Sequence, residues 1–203
     1  MTTETALQAR WDQERRQITE AIRTFGVHLT YVPPVGSAGT GMATCCGCRA
    51  AGPADDGGEL PDPFADLLLE TGGDPASLPP RADTPFCYTT GLFGVGHAEL
   101  AVVGLDRLRA AEVLDAAALR VLDEGLDLMP GEVVELEGTS FLVEELGCSG
   151  MVFFETHSFY DRPAWASLAA YQLTWADDQG RFPWDEGHEA GPWPQPRAGR
   201  WRA

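Results

Sequence analysis

Between Thr84 and Ala176 the chain alternates short apolar runs with turn residues, and several of the links between runs are short turns. Period-two runs at 86–92, 99–104, 133–136, 141–146, 151–155 and 171–176 read as strands. Their links are Phe93-Gly94-Val95-Gly96-His97, Gly138-Thr139 and Gly147-Cys148-Ser149-Gly150, and Asp178-Gln179-Gly180 turns the chain after the last run. A 3.6-residue period appears once at length. Asp106 can cap a helix reaching Glu124, with Leu108, Ala111, Leu114, Ala118, Val121 and Leu122 facing inward and Gly125 stopping it. A second, shorter helix is expected over 162–170. A β-β-α-β-β-β succession of this kind builds an antiparallel or mixed β-sheet with helices packed on one face, an α+β fold.

The chain ahead of this block adds a helix over 5–25, with Leu7, Trp11, Ile18, Ile22 and Phe25 on one stripe. Gly26 ends it, and 27–32 reads as a strand closed by Pro33-Pro34. Residues 33–84 form a long, loop-rich Gly/Pro insertion holding one short helix, capped by Asp62 and running from Phe64 to Glu70. With 203 residues we expect one domain over 1–188, including that insertion, followed by a Pro/Trp/Arg-rich tail over 189–203 that hugs the surface or frays.

The charge narrows the partners. Thirty-one acids against fourteen bases leave −17, a field that repels nucleic acid and anionic membrane surfaces. Every base is arginine. No basic start precedes an apolar run at the N-terminus, so no secretion signal is read and the expected location is cytoplasmic. Five cysteines, three of them in Cys45-Cys46-Gly47-Cys48, fit reduced thiols better than a disulfide framework.

Three segments, in order, carry a resemblance: Phe86-Cys87-Tyr88-Thr89-Thr90-Gly91-Leu92, His97-Ala98-Glu99-Leu100, and Gln172-Leu173-Thr174-Trp175-Ala176-Asp177 with Gly180-Arg181-Phe182-Pro183-Trp184. Together they resemble the bacterial domain of unknown function 4262 family, whose pattern is Tyr-Thr-x-Gly-Leu, His-Pro-Glu, and Gln-x-x-Trp-Pro-Asp ending in Pro-Trp. The likeness spans about residues 20–188 and skips the insertion. Ala98 and Ala176 stand where that pattern has proline. The resemblance implies a fold and a shared surface but no reaction.

Candidate chemistry begins with His97 and Glu99, an imidazole–carboxylate pair at i, i+2 spacing at a strand mouth. If both point to one side they supply a general base and its orienting partner, or two metal ligands. The competing reading has His97 and Glu99 holding the loop through hydrogen bonds. His157 and His188 are candidate third members. Cys45, Cys46 and Cys48 are candidate thiolate ligands for zinc, with His28, Cys87 or Cys148 as a fourth; inert thiols and a redox role are the alternatives, and no cofactor is expected elsewhere. Cys87 as a nucleophile ranks below Cys87 as a small buried residue. Tyr88, Thr89, Gln172, Trp175, Asp177 and Trp184 offer rings, amides and hydroxyls suited to binding rather than bond breaking. Alternation puts Gln172 and Thr174 opposite Leu173 and Trp175, against one pocket holding all of them.

The leading expectation is a non-catalytic binding or regulatory module that recognises a small polar ligand or a partner protein near 88–99. The alternatives are a metal-dependent or acid–base hydrolase using His97 and Glu99, and an immunity or stress-related interaction protein.

Overall fold

Alternation along the strands produces two apolar faces, and each is covered by a different part of the chain. The structure is a computed structural model that describes residues 3–34, 63–70, 72–163, 168–189 and 191–203. Its elements are α1 (Thr3–Phe25), β1 (His28–Val32), α2 (Pro63–Glu70), β2 (Phe86–Thr90), β3 (Glu99–Val103), α3 (Arg107–Glu124), β4 (Val133–Leu136), β5 (Thr139–Glu145), α4 (Phe154–Phe159) and β6 (Ala170–Trp175). The strands form a single six-stranded sheet in the order β1-β2-β3-β6-β5-β4. Every pairing is antiparallel except β3 with β6, so the sheet is mixed and the fold is α+β.

α3 covers the first face. Asp106 accepts from the Leu108 and Arg109 N–H groups to start it, and Gly125, at φ 67°, ends it. Its buried stripe is Ala110, Val113, Leu114, Ala117, Ala118 and Val121, packed on Cys87, Leu100, Val102, Phe141, Val143 and Leu173. Leu108 was expected inward but is exposed. It lies two residues before Ala110, which in a 3.6-residue period places it on the opposite side of the helix.

The second face carries Phe86, Tyr88, Ala101, Val103 and Ala170 with Val152, Phe153 and Trp201 over them. Strand register aligns Thr30, Tyr88, Ala101, Gln172 and Glu144 in one row across this face. Two expectations fail here. The run 151–155 is not a strand: a 3-10 turn (Ser149–Met151) leads into α4. That geometry lets Phe153 stack on Tyr88, centroids 4.6 Å apart, while the Thr156 hydroxyl meets that of Thr90 at 2.7 Å. The run 162–170 is not helical at its described ends, and β6 begins at Ala170; residues 164–167 lie outside the described residues.

The closing segment docks rather than frays. Gln172, fully buried at the sheet centre, needs partners for both ends of its amide. The Trp201 indole N–H donates to its Oε1 at 2.9 Å, and its Nε2 donates to the Pro196 carbonyl at 2.7 Å. The Gln195 amide exchanges two hydrogen bonds with the main chain of Trp175, in the manner of a strand partner. Arg202 pairs with the backbone of Pro80 and Ala82. Among the described residues no helix is long and apolar enough to cross a membrane.

Candidate ligand-binding site

Glu99 is fully buried, and its carboxylate gathers donors from the loop between β2 and β3. Oε1 accepts from the N–H groups of Gly91 at 2.8 Å and Phe93 at 3.0 Å. Oε2 accepts from the Thr89 hydroxyl at 2.6 Å and the Leu92 N–H at 3.3 Å. The Tyr160 hydroxyl approaches Oε1 at 3.4 Å. Burial, and after it the charge of Glu99, pushes the Tyr160 phenol above its ordinary value. The Thr89 hydroxyl also accepts from Leu100 N–H, which ends the β2–β3 main-chain ladder at Tyr88. Gly91 is required there: at φ 143° an added Cβ would stand 2.8 Å from the Gly26 carbonyl oxygen.

His97 points elsewhere. Its Nδ1 lies 2.7 Å from the Ala98 carbonyl oxygen and its Nε2 3.2 Å from the Leu128 backbone nitrogen. A backbone N–H can only donate, so Nε2 accepts and Nδ1 carries the hydrogen. The ring packs against Tyr171, near the α3-side core, while Glu99 turns toward the 91–93 loop. His97 and Glu99 share no hydrogen bond. The i, i+2 rule does not apply, because β3 begins only at Glu99 and Gly96 turns the chain at φ 87°.

The aromatic and amide residues fall into separate places. Gln172 lies on the second face and Trp175 packs with the first, its indole N–H donating to Val103 O at 2.9 Å. Asp177 organises the loop after β6. Burial pushes its carboxyl up, but the N–H groups of Glu189, Arg181 and Gln179 and the Arg181 guanidinium hold it well below the usual carboxylate range. His188 approaches the Arg181 carbonyl at 2.9 Å. Trp184 is stacked on Phe182, with the Arg197 guanidinium 4.1 Å above its ring. His157 is buried between the Ser149 hydroxyl and the Pro163 carbonyl. Cys87 is buried and Cys148 exposed; Cys45, Cys46 and Cys48 lie outside the described residues.

Tyr88 leads to a cavity. Its ring is buried between Phe86 and Phe153, and its hydroxyl donates to the Glu155 carboxylate. Glu155 lines a cleft of about 390 Å³ between α1 and α4, walled on the other side by Trp11, Asp12, Glu14 and Arg15. The Arg15 guanidinium ties the two helices, donating to the carbonyls of Ser158 at 3.2 Å and Phe159 at 2.9 Å. Trp11, assigned from the sequence to the inward stripe of α1, is 44% exposed. Of the stripe expected inward, Ile18 is buried, Phe25 is exposed, and the Trp11 indole lies on the cleft wall. Reasoning from the sequence also passed over Glu155 and Arg15. The signal for Glu155 was its position two residues before His157, but reading that run as a strand placed it wrongly.

The sequence profile of the family described as a domain of unknown function (DUF4262) matches residues 75–189, more than half of the chain. The chain belongs to the DUF4262 family. Its matched stretch contains Tyr88, Glu99, Glu155 and Tyr160, whereas Trp11 and Arg15 on α1 lie outside it. The cleft is therefore lined by six residues of α1 and four of the DUF4262 stretch. No curated protein and no solved structure matches the chain significantly.

Proposed function

We propose that the protein is a non-catalytic binding module that takes a small polar ligand in the α1–α4 cleft. One observation carries this reading: the buried Tyr88 of the Tyr-Thr-x-Gly-Leu strand uses its hydroxyl to hold Glu155 at the wall of a cavity of about 390 Å³. That volume falls within the range of small-molecule sites, and the walls are mostly polar and charged, with Trp11, Ile18 and Phe159 as the apolar members. The buried His97 and Glu99 favour binding over acid–base chemistry. Both ring nitrogens of the one face main-chain groups, and both oxygens of the other accept from the loop. A general base needs a lone pair aimed at a substrate.

The test is a thermal-shift screen of polar metabolites on the wild type, Trp11→Ala and Tyr88→Phe. A ligand at a hundred times its Kd stabilises by about 2.7 kcal/mol, a rise of roughly 5–10 °C for a chain of this size. A hit should lose most of its shift in Trp11→Ala and weaken in Tyr88→Phe, which removes one of the bonds that hold Glu155. A library that shifts nothing, or hits indifferent to both substitutions, would overturn the reading.

A further inference from the structure

We infer that the second sheet face is a peptide-recognition groove with segment 191–203 as its built-in occupant. The outside partner it fits is a basic segment carrying arginine four residues before tryptophan. Thr84, Glu144, Gln172, Trp175 and Trp184, which receive the segment, all lie in the stretch matched by the DUF4262 profile, and the segment itself lies beyond it. The Gln172 amide accepts from the Trp201 indole N–H and donates to the Pro196 carbonyl. The Thr84 hydroxyl donates to the Pro194 carbonyl at 3.0 Å. The Arg197 guanidinium lies over the Trp184 ring, and its Nε donates to Glu144 Oε1 at 2.6 Å. Ring and carboxylate together make a seat for one guanidinium. Arg202 adds a parallel bridge beside Arg81, accepting from the Ala82 N–H and donating to the Pro80 carbonyl.

These contacts have the anatomy of a bound peptide rather than of a core strand. Among the described residues of the segment only Trp201 is buried, its ring 5.0 Å from that of Phe86, and the others are half-buried or exposed. Extended peptides are held in this way, by an aromatic anchor in a pocket, a charged group at the rim and a few main-chain bonds. Charge points to the same partner. Residues 190–203 hold three of the fourteen arginines and no acid, whereas all thirty-one acids lie in the rest of the chain. A tethered segment competes at an effective concentration on the order of millimolar, so an outside peptide enters when the tether is cut or when it binds more tightly.

The experiment folds the full chain with a protease site inserted after Glu189, cuts it, and adds a fluorescent peptide of sequence 191–203 at about 150 mM salt. Anisotropy should show the peptide replacing the cut segment at one saturable site. A Trp201→Ala peptide should bind about thirtyfold more weakly or worse, and an Arg197→Ala peptide about tenfold more weakly. On a Trp184→Ala chain the Arg197→Ala change should cost the peptide less, because the two side chains share one contact. A peptide keeping only Arg197 and Trp201 on a Gly/Ser background should stay within about tenfold of the original, and a scrambled peptide should not bind. Equal binding of the scrambled peptide is diffuse attraction to an acidic chain and overturns the inference. So does a cut chain that stays folded yet admits no peptide overnight, because its segment is then a fixed part of the core. A cut chain that unfolds on losing the segment overturns it too, since no groove exists without its occupant.

Discussion

Replacing Glu99 by glutamine changes one atom of a fully buried side chain and tests whether its carboxylate holds the 91–93 loop. The glutamine oxygen can keep the Oε1 position, facing the N–H groups of Gly91 and Phe93 and the Tyr160 hydroxyl. Its NH₂ group then replaces Oε2, where Thr89 and Leu92 both donate. Thr89 already accepts from Leu100 N–H, so its own hydrogen loses its acceptor, and the Leu92 N–H meets another donor. Hydrogen bonds to a charged group contribute about 1.5–3 kcal/mol each, and the longer Leu92 contact lies at the weak end. The expected loss is therefore about 2–4 kcal/mol, or a melting temperature roughly 5–15 °C lower. Thermal unfolding followed by circular dichroism reads this directly. Thr89→Val should couple to Glu99→Gln in a double-mutant cycle by about 0.5–3 kcal/mol, because the two share a bond. A Glu99→Gln melting point within about 1 °C of wild type would refute the anchoring role and return Glu99 to the list of free acids.

Two further outcomes follow from the same packing. Burial, the largest cause, lowers the His157 pKa below its usual 6.5, with the Arg162 charge adding to it and bonds to the Pro163 and Arg162 carbonyls opposing. As pH falls through about 6.5 the unfolded imidazole takes up a proton that the folded one resists. Stability should thus drop below that pH and stay level above it, with a smaller slope in His157→Gln; urea unfolding at several pH values checks this, and equal slopes would contradict it. Trp201→Phe keeps an aromatic ring against Phe86 but strips the donor from Gln172 Oε1, leaving a buried acceptor at a cost of about 1–3 kcal/mol. Trp201→Ala should cost about 3–5 kcal/mol, and if both variants unfold in urea like wild type the tail does not seal the second face.

Local pattern was enough to define the strands and the long helix. Phe86–Thr90 and Glu99–Val103 alternate, and the cap at Asp106 and stop at Gly125 bracket α3, because propensity, periodicity and capping act over a few residues. Periodicity was misread where tertiary contact outweighs it. The run 151–155 has the apolar content of a strand, yet Phe153 is drawn onto Tyr88 and the chain coils into α4. No local signal could report a partner more than sixty residues away.

The candidate site divides along the same line. The sequence by itself determined the family, through short motifs in order, and named Tyr88, His97 and Glu99 as residues to watch. Only the tertiary structure decided their partners. His97 and Glu99 separate because Gly96 turns the chain before β3 begins, and Gln172 lies buried under a tail whose role its composition conceals. The cleft exists only where α1 crosses α4, bringing Trp11 to Glu155 across most of the chain. Hydrogen bonding and close packing depend on distance in space, and sequence separation carries almost no record of that distance.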